Sequence, residues 1–164
     1  MLVQQNLDGS NFFHRSWGQF RVGFGQLIGN YWIGNDRLHQ LTTSGSYTLR
    51  FDLQETGTGT WYYAEYSTFI VQNETSNYLL QASGYSGNAG DALYYNDGMM
   101  FTTYDRDNDQ RSDNCAVSRG GGFWYKNCAY CGVNVERGSP DDFKWRGNGA
   151  TAIVLESTRM WLTC

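Results

Sequence analysis

A chain of 164 residues and 18.7 kDa with 40% hydrophobic residues is long enough for one domain with a core and too apolar to stay disordered. No apolar run approaches the roughly 18 residues of a membrane-spanning helix, and a net charge of −4 with 17% charged residues speaks against a general nucleic-acid binder. Twenty glycines, one proline and 16% aromatic residues suit an extracellular, loop-rich fold better than a helical bundle.

The opening MLVQQNLDGS is polar and has no secretory signal pattern; a mature or recombinant segment would reconcile this with an extracellular chain. Phe13, Trp17, Phe20 and Phe24 recur at helical spacing, which predicts an amphipathic helix over residues 12–23. Asp8 or Ser10 is placed to cap it, and Gly23 or Gly25 to end it. A second short helix is predicted over residues 35–41, with Asn35 as N-cap and Leu38 and Leu41 inward.

The period then changes to two. Tyr47, Leu49, Phe51 and Leu53 alternate with polar residues, as in a half-buried strand. Gly57-Thr-Gly59 makes a turn, and the aromatic, β-branched run from Trp61 to Val71 returns as an antiparallel partner. A third strand is expected near residues 77–81, and two closing strands at 152–155 and 159–162 with a turn between them. From 83 to 149 the chain is rich in Gly, Asn and Asp without sustained period. Such a stretch belongs in a compact domain only if something clamps it.

Two kinds of clamp are visible. Cys115, Cys128, Cys131 and Cys164 permit up to two disulfides in three connectivities. With the glycosylation sequon Asn73-Glu74-Thr75 they favour an oxidising compartment. Zinc needs a second close ligand pair, and Cys115, Cys164, His14 and His39 are scattered. A redox CxxC lacks its βαβ context. The second clamp is Asp105-Arg-Asp107-Asn-Asp109-Gln-Arg-Ser-Asp113. Carboxylates two apart can supply several oxygens to one calcium ion. It is no EF-hand, because Gln110 and Ala116 stand where the glycine and bidentate glutamate belong. The alternative is a solvated acidic turn, softened by Arg106 and Arg111. No nucleophile elbow or metalloprotease motif suggests an enzyme.

Asp8-Gly-Ser10, Arg15-Ser-Trp17, Gly23-Phe-Gly25, Trp32-Ile-Gly-Asn-Asp-Arg-Leu-His39, Ser86-Gly-Asn-Ala-Gly-Asp91-Ala-Leu93 and Asn96-Asp-Gly-Met99 occur in that order. Phe101-Thr-Thr-Tyr-Asp-Arg-Asp-Asn-Asp109, Asn114-Cys-Ala-Val117 and Gly120-Gly-Gly-Phe-Trp-Tyr-Lys-Asn-Cys128 follow. The series strongly resembles the fibrinogen C-terminal-like domain over nearly the whole chain. The resemblance implies an α+β fold, an antiparallel sheet with short helices plus a loop-rich calcium-binding subdomain. It implies a single domain over residues 1–164 without the family's usual N-terminal stretch. About 1–82 and 150–164 would form the sheet and helix part, and about 83–149 the calcium and ligand part. Asp107 and Asp109 would give side-chain oxygens to Ca2+, and Arg111 and Asp113 backbone oxygens. Asp105 would be a neighbour.

The resemblance also implies a Cys115–Cys128 disulfide. Cys131 and Cys164 lie outside the common pattern: they are open to a private disulfide, or Cys164 to a bond between chains or with a cysteine elsewhere. Lectin-like members hold acetylated sugars beside the second cysteine with Tyr and His. Here Arg119 and Ala129 stand at those positions, and Phe143 and Lys144 where Tyr and Ala often line the pocket. Those cations would favour an anionic group over a neutral acetyl. Phe123, Trp124, Tyr125 and Tyr130 are open to sugar stacking or to core packing. The expected function is a secreted, calcium-dependent, lectin-like recognition domain for glycans or microbial surface patterns, as in innate immunity. The alternative is a protein–protein adhesion or receptor-binding module. Asn73 would be glycosylated, and oligomers would form through segments not present.

Overall fold

The period-two runs build the centre of the molecule. The computed structural model describes residues 1–138, 143–148 and 151–164. Strands β1 (Leu2–Asn6), β2 (Phe24–Gly25), β3 (Tyr31–Trp32), β4 (Thr48–Glu55), β5 (Trp61–Val71), β6 (Leu80–Gly87), β7 (Lys144–Trp145) and β8 (Ile153–Thr163) form an antiparallel sheet. The order is β2-β3-β1-β8-β4-β5-β6, with β7 on β8. Helices α1 (Trp17–Val22), α2 (Asn35–Ser44) and α3 (Cys115–Arg119) complete it. Leu49, Phe51 and Leu53 of β4 are fully buried. Arg50, on the other face, pairs with Asp52 at 2.8 Å and Glu65 at 2.9 Å. Among the described residues no helix is long and apolar enough to cross a membrane.

Five elements differ from expectation, each for a local reason. Strand β1 was hidden in the polar opening because three of its four buried residues are amides. Gln4 Nε2 donates to the Val133 carbonyl and Asn134 Oδ1, both at 3.0 Å, and Asn6 Nδ2 to the Val133 carbonyl at 3.0 Å. The helix expected over 12–23 is divided into a 3-10 turn, Asn11–Phe13, and α1. Ser16, not Asp8 or Ser10, caps α1: its side chain accepts from the Gln19 N–H, and the Gln19 side chain accepts from the Ser16 N–H. The two expected closing strands are one. The partner shifts from Gln54↔Ser157 to Glu55↔Leu155, so Glu156 is taken up as a β-bulge instead of a turn. The third strand begins only at Leu80, after Asn77 and Tyr78 at positive φ, and runs to Gly87. In α2, Gly34 holds the N-cap position in place of Asn35, whose Oδ1 accepts from Trp32 Nε1 at 3.0 Å.

The stretch from 83 to 149, without sustained period, was expected to depend on clamps. Instead Phe101, Phe123, Trp124, Tyr125, Val133, Phe143 and Trp145 are essentially inaccessible and belong to the same core as the sheet. Trp124 meets Trp32 at 6.1 Å, Phe69 at 6.2 Å and Phe101 at 5.1 Å between ring centres. Residues 139–142 and 149, expected in the loop-rich part, and residue 150, expected to open the second stretch of the sheet and helix part, lie outside the described residues.

Candidate functional site

The site is assembled around α3. Asn114 caps it by accepting from the Ala116 and Val117 N–H groups at 2.8 and 3.2 Å. Gly120 ends it at φ 74°, a left-handed turn that glycine takes without steric cost. A Cβ at the following Gly121 would run into the Asn134 carbonyl, so this segment packs directly on the strip that β1 also grips. Cys115, at the start of α3, is bonded to Cys128, which ties the helix to the 125–131 segment.

Before α3 the acidic loop is ordered by its own backbone. Asp107 Oδ1 accepts from the Asp109 N–H at 3.1 Å. Asp109 accepts from the Arg111 N–H on Oδ1 and the Cys115 N–H on Oδ2, both at 2.8 Å. Burial raises the Asp109 carboxyl above its ordinary range; the N–H bonds from Cys115 and Arg111 oppose this, and the adjacent Asp107 adds to it. Two carboxylates sharing a partly buried loop are a donor set that suits a hard cation. Among the described residues no three His, Cys, Asp or Glu side chains gather as a metal site, so further ligands would have to be carbonyls or water. Asp105 Oδ1 is engaged elsewhere, accepting from the Trp17 N–H and Thr103 Oγ1 at 2.8 Å. Arg111 Nε donates to Asp113 at 2.6 Å and Nη1 to Cys128 Sγ at 3.5 Å, linking the loop to the disulfide.

Behind the disulfide lies a cavity of about 70 Å³ lined by Arg119, Tyr125, Asn127, Ala129, Tyr130, Gly132, Val135, Lys144 and Arg146. Arg119 is only 6% exposed. Burial lowers its pKa; Tyr125 opposes this, and the nearby Arg111 and Arg146 lower it further. Positive charge is thus concentrated where water is scarce, which favours an anion. Arg119, Ala129 and Lys144 stand on the cavity wall, but Phe143 does not. It is fully buried behind the wall, with the Arg137 guanidinium 5.7 Å from its ring centre.

Arg146 was missed, although period two on β7 signals it: Phe143 and Trp145 point inward, so Lys144 and Arg146 face out. Tyr125, Asn127, Gly132 and Val135 carry no such signal. Of the aromatics considered for stacking, Phe123, Trp124 and Tyr125 are core; Trp124 Nε1 donates to the Tyr78 carbonyl at 2.7 Å. Tyr130 is exposed and stacks on Tyr95 at 4.2 Å, with Tyr94 at 6.2 Å.

Cys131 and Cys164 are not paired with each other. Cys131 is buried with its thiol toward Asn96 Oδ1 at 3.8 Å, while Cys164 is exposed after β8. Burial pushes the Cys131 thiol pKa upward, making it an inert core group.

The family model for the C-terminal globular domain of fibrinogen beta and gamma chains matches residues 1–160. Fibrinogen-like protein A of Apostichopus parvimensis is 45% identical over 136 residues, 81% of this chain and 48% of that protein. Mouse tenascin is 40% identical over 147 residues, 86% of this chain and 7% of the other. The chain therefore spans less than half the length of these relatives. The fibrinogen-like globe domain of human ANGPTL2 superposes with a TM-score of 0.90 at 33% identity, covering 99% of this chain and 78% of that one. A lamprey fibrin D-dimer complexed with the peptide Gly-His-Arg-Pro-amide gives 0.87 at 30% identity, covering 98% and 60%. Domains of this kind are binding modules rather than enzymes. With the sheet, the disulfide-tied loop region and the match over residues 1–160 all in agreement, this chain belongs to the family of fibrinogen C-terminal globular domains.

Proposed function

We propose that the chain is a calcium-dependent, secreted recognition domain that takes an anionic group of a glycan or microbial surface molecule into the cavity beside Cys128. The observation that carries this is the cationic lining: Arg119, Lys144 and Arg146 surround one small cavity floored by Ala129. A carboxylate or sulfate there gains charge-assisted hydrogen bonds in a poorly hydrated place. Tyr130 and Tyr95 at its rim offer flat surface to an adjoining sugar ring.

Asp107 and Asp109 would hold calcium with their side chains, and Arg111 and Asp113 with their carbonyls. The ion would supply the positive charge that lets the two carboxylates stay ionised together. Its role is structural, holding the loop that carries Cys115 and, through α3, Arg119. Asn73 fits a glycan acceptor: it is exposed, and its Oδ1 caps the turn by accepting from Thr75 Oγ1 at 2.7 Å and the Ser76 N–H at 3.2 Å. A glycan on Nδ2 leaves both bonds intact.

A second reading is a protein-binding module, favoured by the peptide complex of the lamprey relative. An arginine-bearing peptide is a poor electrostatic match for three cations, so a partner here would be acidic. A glycan array including uronic, sialic and sulfated sugars, read with calcium and with EDTA, separates these. Calcium-sensitive capture of acidic glycans, lost in Lys144→Gln, is expected. No glycan binding, with capture of an acidic protein from extracellular fluid, would favour the second reading.

A further inference from the structure

The hairpin between β2 and β3 presents a different surface. Its turn is Gln26-Leu27-Ile28-Gly29, closed by the Gly29 N–H donating to the Gln26 carbonyl at 2.9 Å. Leu27 and Ile28 fill the two corner positions, where glycine, proline and short polar residues are the usual choice. They are 63% and 90% exposed. Turn geometry gives no reason for aliphatic residues there.

The turn is braced from behind. Gln5 Nε2 donates to the Gly29 carbonyl at 2.7 Å, and the Leu7 N–H to Asn30 Oδ1 at 2.8 Å. Two arginines stand behind the tip, Arg15 over the Phe12 and Phe24 rings and Arg159 over the Trp61 ring. Arg15 lines a cleft with Phe12, Phe24, Gln26 and Gly29. Arg159 donates from Nε to Gln5 Oε1 at 2.8 Å, the same side chain that braces the turn. Among the described residues neither arginine forms an ion pair. Asp8, near the hairpin, is occupied by Asn30 Nδ2 and the Ser10 N–H, both at 3.0 Å, and Asp52, opposite Arg159 on the ladder, is paired with Arg50 at 2.8 Å.

We propose that this hairpin is a contact point for an anionic lipid surface. Leu27 and Ile28 enter the interfacial layer, and Arg15 and Arg159 meet the headgroups. A convex pair of side chains needs a matching pocket on a protein partner, whereas a fluid lipid interface receives it without shape complementarity. Flanking arginines add attraction to anionic headgroups. The net charge of −4 does not prevent this, because charges beyond about 8 Å are screened at physiological salt. One such tip binds weakly and reversibly.

The test is sedimentation of the full chain with phosphatidylcholine vesicles, with and without phosphatidylserine, in EDTA so that the calcium loop takes no part. Binding to the phosphatidylserine vesicles is expected, falling about tenfold or more in Leu27→Ser/Ile28→Ser and less in Arg15→Gln. Both aliphatic side chains are exposed, so an unchanged circular dichroism spectrum will certify the fold. Absence of binding, or equal binding by the double variant, overturns the proposal. So does light scattering that finds a dimer which the double variant dissociates, since the tip would then be a contact between copies. Equal binding by the double variant would point to another cationic surface, and repeating it with Lys144→Gln tells whether that surface is the cavity.

Discussion

The sheet half and the loop half of this domain are built with different hydrogen-bonding economies around one core. In the sheet, strands β4, β5 and β8 satisfy each other's backbone, and side chains alternate between core and solvent. In the loop half, asparagine amides do that work. Asn96 Nδ2 donates to the Trp124 and Cys128 carbonyls at 2.8 and 3.0 Å. Asn108 Nδ2 donates to the Phe101 carbonyl at 2.8 Å, Asn114 Nδ2 to the Thr103 carbonyl at 2.9 Å, and Asn134 Nδ2 to the Gly122 carbonyl at 3.0 Å. A buried carbonyl needs a donor from somewhere. An irregular chain that buries aromatics must therefore import donors, and asparagine carries them on a short, stiff side chain. Ligand-binding loops gain a rigid frame this way without being locked into a ladder.

The sharpest way to break this picture is at the shared core. Trp124 touches rings from both halves, so Trp124→Ala should cost about 3–5 kcal/mol. Urea unfolding followed by far-UV circular dichroism and by fluorescence should move together, as one transition. Separate transitions would mean that the halves are independent units. Next is the disulfide, which spans a separation of 13 residues. Cys115→Ala/Cys128→Ala should lose about 3 kcal/mol by loop-closure entropy, read from the same urea curves. A loss near zero would show that the asparagine clips alone hold the loop.

The proposed ion separates the halves more finely. Calcium at about 100 times its Kd should stabilise the wild type by about 2.7 kcal/mol, and Asp107→Ala should abolish the calcium-dependent rise in Tm. A calcium response that survives in the variant would remove Asp107 from the site. Trp61→Ala, on the solvent face of the sheet, is the matched control and should leave the response unchanged.

How far each half was legible follows from the same contrast. Strand β5 was read with its observed bounds, Trp61–Val71, because a long aromatic, β-branched run after a glycine turn is a strong strand signal. Strand β1 was invisible, since Gln4 and Asn6 put amides where the pattern demands apolar groups; their value lies in bonds to Val133 and Asn134, far along the chain. The helix over 12–23 was half legible: the spacing of Phe13, Trp17 and Phe20 correctly marks buried residues, but a break at His14 and Arg15 leaves periodicity intact while interrupting the helix. In the loop half, Arg119 and Ala129 were placed by motif resemblance around the cysteines, and Phe143 and Lys144 together by a looser match near Trp145-Arg-Gly147; strand alternation keeps Lys144 on the cavity wall and turns Phe143 inward. Side chains such as Tyr125 and Asn127 reach the cavity through chain reversals that leave no periodic trace.

A last and smallest effect tests whether the sheet half manages its charges without metal. Asp36 on α2 accepts from the Tyr78 hydroxyl and from Arg21 Nε at 3.0 Å. Burial pushes its pKa upward, but the bonds from Tyr78 and Arg21 prevail and hold it below the ordinary carboxylate value. A carboxylate with a depressed folded pKa contributes stability that is present above its unfolded value, near 3.8, and is lost as pH falls through the folded one. Both Asp36 and Arg21 are nearly half exposed, so screening limits the contribution to at most about 1 kcal/mol. Asp36→Asn should therefore flatten the acid limb of the stability profile below about pH 4, with EDTA present throughout. An acid limb unchanged by the substitution would assign the acid sensitivity to other carboxylates held below their ordinary value, Asp8 first among them; Asp109, whose pKa is raised, would instead favour the fold on protonation.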